Sequence, residues 1–315
     1  MSALSAELDR YLAIRRSLGH DLRTAERILR RFVGFAEAEG EDHVSTALFT
    51  RWQAAFGAAG RQTWAARLRM VRLFAQWLHG LDPRHEVPPP DLLPHCSRRQ
   101  RPFIYSQDQI RRIVEAAAEL PSQNGIRSLT YPILFGLIAV TGLRVSEALS
   151  LGVGDIDLRA GVITVLHGKF GKERLVPVAE TTRLRLRDYA SERDRLLGRR
   201  PPTFFVSDKG DPLTGCAARY NFAHVCQAIG LREPQRFNRH GRGPRIHDLR
   251  HSFAVHTLIG WYRTGQDPDR EMIKLTTYLG HSTPAHTYWY IEAVPELLEL
   301  AGRRAETSLG EEVRP

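Results

Sequence analysis

Between Ile246 and Tyr290 the imidazoles of His247, His251 and His281, the guanidinium of Arg250 and the phenols of Tyr288 and Tyr290 are spaced so that they could meet on one surface. The stretch opens Ile246-His247-Asp248-Leu249-Arg250-His251-Ser252-Phe253, continues to Tyr278-Leu279-Gly280-His281-Ser282, and reaches Tyr288 and Tyr290 soon after. Residues three and four apart share a helix face, so a helix starting after Arg245 projects His247, Arg250 and His251 together and turns Leu249 and Phe253 elsewhere. A guanidinium is a planar fork of donors that matches phosphate oxygens. An imidazole can donate to the same oxygens or move a proton near neutral pH. Taken alone, the same residues also describe an ordinary polar surface helix, and chemistry follows only if further groups converge.

The composition limits what those groups can serve. With 315 residues, 42% of them hydrophobic and 25% charged, the chain has the make-up of a soluble globular protein and room for about two domains. A net charge of +10 and a pI near 9.9, with the basic residues spread along helix faces, point to an anionic partner, nucleic acid foremost. Cys96, Cys216 and Cys226 are odd in number and lack paired zinc-ligand spacing, which argues against a disulfide frame or zinc knuckle and for reduced thiols in the cytoplasm. The longest apolar run, Tyr131 to Leu143, contains Pro132 and is shorter than the ~20 residues that cross a bilayer. The N-terminus lacks a signal-peptide core, so no membrane role is expected.

From Ser2 to about Pro83, apolar residues recur at helical intervals through Leu8 and Leu12, Ile28 to Phe35, Leu48 to Phe56, and Trp64 to Leu78. Four amphipathic helices are expected, forming a domain over residues 1–83. The fourth carries Arg61, Arg67, Arg69 and Arg72 as a basic face. Residues 84–102, with Pro88, Pro89, Pro90 and Pro94 followed by Arg98, Arg99 and Arg101, read as a semi-rigid polyproline strap. A second domain over residues 103–303 opens with a helix capped by Ser106 and Gln109. Its buried helix from about Tyr131 ends at Gly142, and the chain restarts at Arg144, where helix N–H groups favour an anion; Glu147 is placed to hold that guanidinium. Short strands at Asp155–Asp157, Val162–Leu166 and Arg174–Val178 are expected to form an antiparallel sheet. Between the last two, a turn presents Lys169 and Lys172. A loop rich in Arg236, Arg239, Arg242 and Arg245 leads into the helix of His247. Gly280 caps a helix, Thr283 and Pro284 start the next, and Pro295 must break it. Glu296 to Leu300 reads as a short amphipathic helix, and residues 304–315 as a polar, loose tail.

Taken in order, Arg144, Lys169, His247, Arg250, His281 and Tyr290 are the residue types that distinguish the tyrosine recombinases, or phage integrase family, which the chain resembles from about residue 103 to 303. The matching stretches are Thr141-Gly142-Leu143-Arg144-Val145-Ser146-Glu147, Gly168-Lys169, His247-Asp248-Leu249-Arg250-His251, Leu279-Gly280-His281-Ser282 and the tyrosine nine residues after His281. The resemblance implies a mainly α fold with a small antiparallel β-sheet (α+β), in which an N-terminal helical core-binding domain precedes the catalytic domain. It implies a site-specific recombinase or integrase that cleaves and rejoins double-stranded DNA through a 3′-phosphotyrosyl intermediate and a Holliday junction, as a homotetramer on its recombination sites, without metal or other cofactor. By resemblance, Tyr290 attacks phosphorus, His247 helps remove its proton, Arg144, Arg250 and His281 stabilise the charge, and Lys169 protonates the departing 5′-oxygen. The segment after Tyr290 would dock on a neighbouring protomer.

Two departures stand out. Gly260 to Pro268 looks like an insertion that lengthens a loop, and Tyr288 lies close enough to Tyr290 that only the family spacing from His281 selects the latter. A metal-dependent nuclease is the rival reading from the i, i+4 pair His247 and His251, disfavoured by the absence of an acidic cluster and by Arg250 between them. A DNA-binding regulator that has lost catalysis is the other, disfavoured by the intact set of six.

Overall fold

The amphipathic periodicity of the first hundred residues becomes four helices: α1 (Ala3–Ser17), α2 (Arg23–Ala38), α3 (Thr46–Ala55) and α4 (Arg61–His79). The computed structural model describes residues 3–57, 59–93, 101–166, 173–233, 243–281 and 283–312, and the chain divides into two compact units, Met1–Gln100 and Arg101–Pro315. In the first unit the helices close over Leu8, Phe32, Phe49, Trp52, Leu68 and Phe74, with Trp52 and Trp64 edge-to-face at 5.2 Å. Ser45 starts α3 by accepting the Leu48 N–H at 3.0 Å, an N-cap of the usual kind.

The proline-rich segment differs from the expected strap. As far as Leu93 it lies on the first unit: the Glu86 N–H donates to the Val44 carbonyl at 2.7 Å, Arg72 donates to the Pro88 carbonyl, and Val87, Leu92 and Leu93 pack on the core. Backbone hydrogen bonds and apolar contacts outweigh the extended preference of three prolines; residues 94–100 lie outside the described residues. Nearby, His43, Asp82 and His85 form a group with metal-ligand donor types. Its atoms are already engaged, since the Val44 N–H donates to His85 Nδ1 at 3.0 Å and Arg84 holds both Asp82 oxygens, so the group clasps the segment to the helices.

The second unit is mainly helical with one small sheet: α5 (Gln107–Ala118), α6 (Ile126–Thr141), α7 (Val145–Ser150), β1 (Ile156–Asp157), β2 (Val162–Val165), β3 (Arg174–Pro177), α8 (Glu180–Leu197), α9 (Gly215–Ala228), α10 (Ile246–Arg263), α11 (Pro268–Leu279), α12 (Ala285–Ala293) and α13 (Pro295–Glu312). The sheet is antiparallel in the order β1-β2-β3, with Ile163 opposite Ile156 and Val176. Strand alternation turns Val176 inward and Leu175 out to solvent. Arg174, two residues before Val176, therefore lies on the inward face.

Helix α10 is the centre of the unit. Ile246 and Leu249 join the core built on α5, α6, α8, α9 and the sheet, while Ala254, Val255 and Leu258 join a second core with α11, α12 and α13. A helix with apolar contacts on so many sides is a buried one, which is why this element can fix groups from several others. The supposed insertion is mostly helix: Gly260 to Arg263 form the last turn of α10 and Pro268 begins α11, leaving a short turn. Val294 is extended and Pro295 starts α13, as the proline requires, but α13 continues to Glu312 through the segment expected to be loose. Among the described residues no helix is long and apolar enough to cross a membrane.

Candidate active site

Gly142 ends α6 with φ +61°, and a Cβ there would stand 2.5 Å from the Phe253 ring and 2.9 Å from Leu279. Only glycine allows α6 to turn this close to α10 and α11. The turn delivers Arg144 to the start of α7. Its Nη1 donates to Glu147 Oε1 at 2.6 Å and its Nη2 to the Gly280 carbonyl at 2.7 Å. Glu147 is buried at 3% exposure, so it is not half of a surface ion pair. It also accepts from Arg174 Nη2 at 2.7 Å and from the Arg144 backbone N–H at 2.9 Å. Arg174 in turn donates through Nε to the Tyr278 carbonyl at 2.8 Å. One carboxylate thus anchors two guanidiniums drawn from α7 and β3.

Asp248 accepts the Arg245 N–H at 2.7 Å, which starts α10 with a carboxylate in its first turn, where the helix dipole favours it. One turn on, Arg250 is fully enclosed, donating from Nη1 to the Gly142 carbonyl at 2.6 Å and from Nη2 to the Leu279 carbonyl at 2.7 Å. Burial, and after it the charge of Arg144, draws its pKa down to about 10, so it remains a cation at neutral pH. Two guanidiniums whose carbonyl partners lie at the ends of α6 and α11 form a pocket of positive charge suited to a phosphate. His247 opens to solvent at the mouth, beside a cavity of about 720 Å³ that Arg144, Arg219, Arg232 and Arg245 also line. Surrounding protein, ahead of the charge of Arg250, lowers its pKa to about 4, which leaves its ring neutral at pH 7.

Gly280 closes α11 at φ +64°, and the chain presents His281, whose Nδ1 lies 2.8 Å from Thr287 Oγ1. Tyr290 on α12 is buried, its ring stacked over His281 with centroids 6.4 Å apart and its Oη 2.8 Å from Nδ1 of His251. Tyr288 is two residues away, about 200° around the helix, and is 40% exposed. Leu297 of α13 is buried in the same core as Tyr290, and Arg304 reaches back to Asp267 at 2.9 Å. In this chain by itself the segment after Pro295 therefore packs on its own domain.

Of the six residues selected from sequence, Arg144, Arg250, His281 and Tyr290 are held by the converging ends of α6, α10 and α11 and by α12, and His247 stands at the opening. Lys169 lies outside the described residues, as does the loop of Arg236, Arg239 and Arg242. Glu147 holds Arg144 as its spacing suggests but is buried and holds Arg174 as well, and two neighbours of the site lie outside the six: Arg174, and His251 on the tyrosine oxygen. Arg174 had a signal, a charge two residues from Val176 on the inward face of a strand; His251 had one too, its place on the face of His247.

Glu147 makes the site sensitive to acid. Burial alone would raise its pKa, but the bonds from Arg174 and the Arg144 N–H outweigh that and hold it at about 2, below its ordinary 4.5. A folded pKa below the unfolded one means stability that is present above about pH 4.5 and lost as pH falls toward 2, at most about 3 kcal/mol. Urea unfolding should thus show the Glu147→Gln protein much less stable than wild type at pH 7, with the gap narrowing by about pH 3.

A model of the phage integrase family matches residues 104–296. The chain is 40% identical over 311 residues to a protein named as an integrase/recombinase, y4rB of Sinorhizobium fredii, covering 97% of this chain and 98% of that one. It is 30% identical over 316 residues to tyrosine recombinase XerC of Mycobacterium tuberculosis, covering 97% and 99%. Among solved structures, XerH site-specific recombinase bound to palindromic difH substrate aligns with TM-score 0.63 at 19% identity over 90% of this chain and 80% of that chain. A lambda integrase dimer bound to a COC′ core site aligns with TM-score 0.62 at 18% identity over 91% and 94%. At those identities the structural likeness speaks to the fold, whereas the family match and the relatives that share nearly the whole length speak to descent: the chain belongs to the phage integrase family of tyrosine recombinases.

Proposed function

We propose that this chain is a cytoplasmic site-specific recombinase that cuts and rejoins double-stranded DNA through a phosphotyrosyl bond at Tyr290. The observation that carries the reading is the seating of Arg144 and Arg250 on the carbonyls of Gly280, Gly142 and Leu279, beside the stacked rings of His281 and Tyr290. A pentacovalent phosphorane concentrates negative charge on its non-bridging oxygens, and fixed cations stabilise it more than the ground state. Phenol oxygen attacks phosphorus, the P–O5′ bond breaks, and the leaving oxygen takes a proton, a role assigned here to Lys169. The new ester retains the energy of the old bond, so another strand's 5′-hydroxyl can reverse the step. Because Tyr290 is closed from solvent in the DNA-free chain, its cover must open for the phosphate to reach it, as α13, whose Leu297 shares its core, would on leaving its seat. The test is a nicked duplex that traps the covalent intermediate, made from DNA flanking the gene, followed by mapping of the modified residue; no adduct on any fragment argues for a DNA-binding protein without catalysis.

The helical first unit, read as a core-binding domain, supplies further phosphate contacts. Arg61 and Arg69 of α4 are exposed, whereas Arg67 lies over the Trp64 ring at 4.4 Å and Arg72 is tied to Pro88, so only part of the expected basic face is free to meet DNA. Together with the second-unit arginines this predicts affinity that falls by about 10³-fold or more between 50 and 200 mM salt, checked by binding titrations; a flat salt response contradicts these phosphate contacts. A lambda integrase tetramer bound to a Holliday junction shares the fold, with TM-score 0.59 at 18% identity, and supports assembly of this chain as a homotetramer on DNA. Assembly would require α13 to exchange its present seat for one on a neighbour.

A further inference from the structure

We propose that His251, not His247, is the base that takes the proton from the nucleophilic phenol. The inference rests on the recombinase reading of the site and assigns one more catalytic residue to it. His251 Nδ1 and Tyr290 Oη are 2.8 Å apart, within the ~2.6–3.2 Å that direct proton transfer requires, and both side chains are buried. An unperturbed phenol, with pKa about 10, is a weak nucleophile at pH 7 and needs such a partner. For the phenol to donate, neutral His251 must carry its own proton on Nε2. When the Oη–H bond breaks, that proton passes to Nδ1 and leaves an imidazolium; Oη bonds phosphorus and the 5′-oxygen departs. In rejoining, the 5′-hydroxyl gives its proton back to the group that supplied it, assigned above to Lys169, as it displaces Oη, and His251 returns its proton to the phenolate.

The surroundings suit a transient cation on His251. His247, one turn earlier, meets its ring edge-to-face at 4.7 Å and is neutral at pH 7, so it adds no second charge against the one that forms. Trp289 packs against the ring at 6.0 Å, and His281 lies beyond Tyr290. The neighbouring Arg250 is directed into the carbonyls of Gly142 and Leu279. His247, at the mouth of the cleft, is then placed for phosphate contact.

The test compares wild type, His251→Asn and His247→Asn on the nicked duplex from DNA flanking the gene that the wild type captures covalently. Asparagine can still accept the phenol hydrogen bond but cannot take the proton. His251→Asn should bind this DNA as wild type does yet capture it about 10²-fold or more slowly at pH 7, with the deficit shrinking as pH approaches about 10 and solvent removes the proton. A rate within about threefold of wild type overturns the assignment, as does a deficit that stays constant with pH. A larger loss in His247→Asn than in His251→Asn would restore that role to His247. A DNA-free arm uses ¹⁵N-histidine NMR of the wild type and Tyr290→Phe. His251 should be the Nε2–H tautomer, with an Nδ1 shift that moves when the phenol is removed, and an Nδ1–H tautomer overturns the proposal. Should wild type capture no fragment, the recombinase reading fails while the NMR arm still decides whether His251 accepts from Tyr290.

Discussion

The Tyr290→Phe protein is expected to form no covalent DNA complex while binding DNA almost as tightly as wild type. The substitution removes one oxygen and retains the ring that stacks on His281 and packs with Leu297 in the core of α10 to α13. The fold loses one buried hydrogen bond, to His251, and leaving that nitrogen without its phenol partner costs about 1–3 kcal/mol, so thermal unfolding should shift by several degrees. On the proposed assignment catalysis loses its nucleophile, and Tyr288 cannot substitute without moving α12, since it points to the opposite side of the helix and is 40% exposed. Tyr288→Phe should therefore cleave normally. Denaturant-resistant adducts on a nicked duplex read out both variants. An adduct that persists in Tyr290→Phe and disappears in Tyr288→Phe would transfer the chemistry to the exposed phenol.

That contrast shows what the amino-acid order can and cannot tell. Spacing from His281 singles out Tyr290, and the structure stacks that ring on His281 while Tyr288 is exposed, because a tight turn at Gly280 and a helix entered soon after leave little freedom between them. The four first-unit helices and the three short strands were likewise legible, since their apolar periods, 3.6 and 2, are set by which face is buried. Helix α10 was different. Periodicity places His247, Arg250 and His251 on adjoining positions, but which of them meets α12 depends on how α10 is rotated in a core that surrounds it. The packing of α12 sets His251 on the tyrosine and leaves His247 in the cleft. Glu147 and Arg174 are 27 residues apart along the chain, so only the inward turn of β3 reveals that they share a buried ion pair. The seat of α13 was also hidden: leucines at 297 and 300 announce that a groove is needed, and either the same chain or a neighbour can supply it.

Arg250→Lys should be nearly as damaging to cleavage as loss of the nucleophile, although it conserves charge. The guanidinium spans two carbonyls on different helices, Gly142 at the end of α6 and Leu279 at the end of α11, which fixes the orientation of its remaining N–H donors for a phosphate admitted when the cover over Tyr290 opens. A lysine ammonium is a single point on a flexible stem. It can satisfy one carbonyl or reach for the phosphate, but it cannot hold α6 and α11 at their present separation while doing so. The other carbonyl, buried without a donor, costs about 1–3 kcal/mol. The expected result is a modest loss of stability, DNA affinity lowered only slightly because this is one phosphate contact among several, and a single-turnover cleavage rate down by about 10²- to 10³-fold, the range for removing one fixed donor from a charged transition state. The split between binding and rate is the informative part. If Arg250 only braced the fold, unfolding and DNA binding would suffer together and the rate on bound DNA would stay within about threefold of wild type; if it stabilises the phosphorane, the rate collapses on DNA that remains bound.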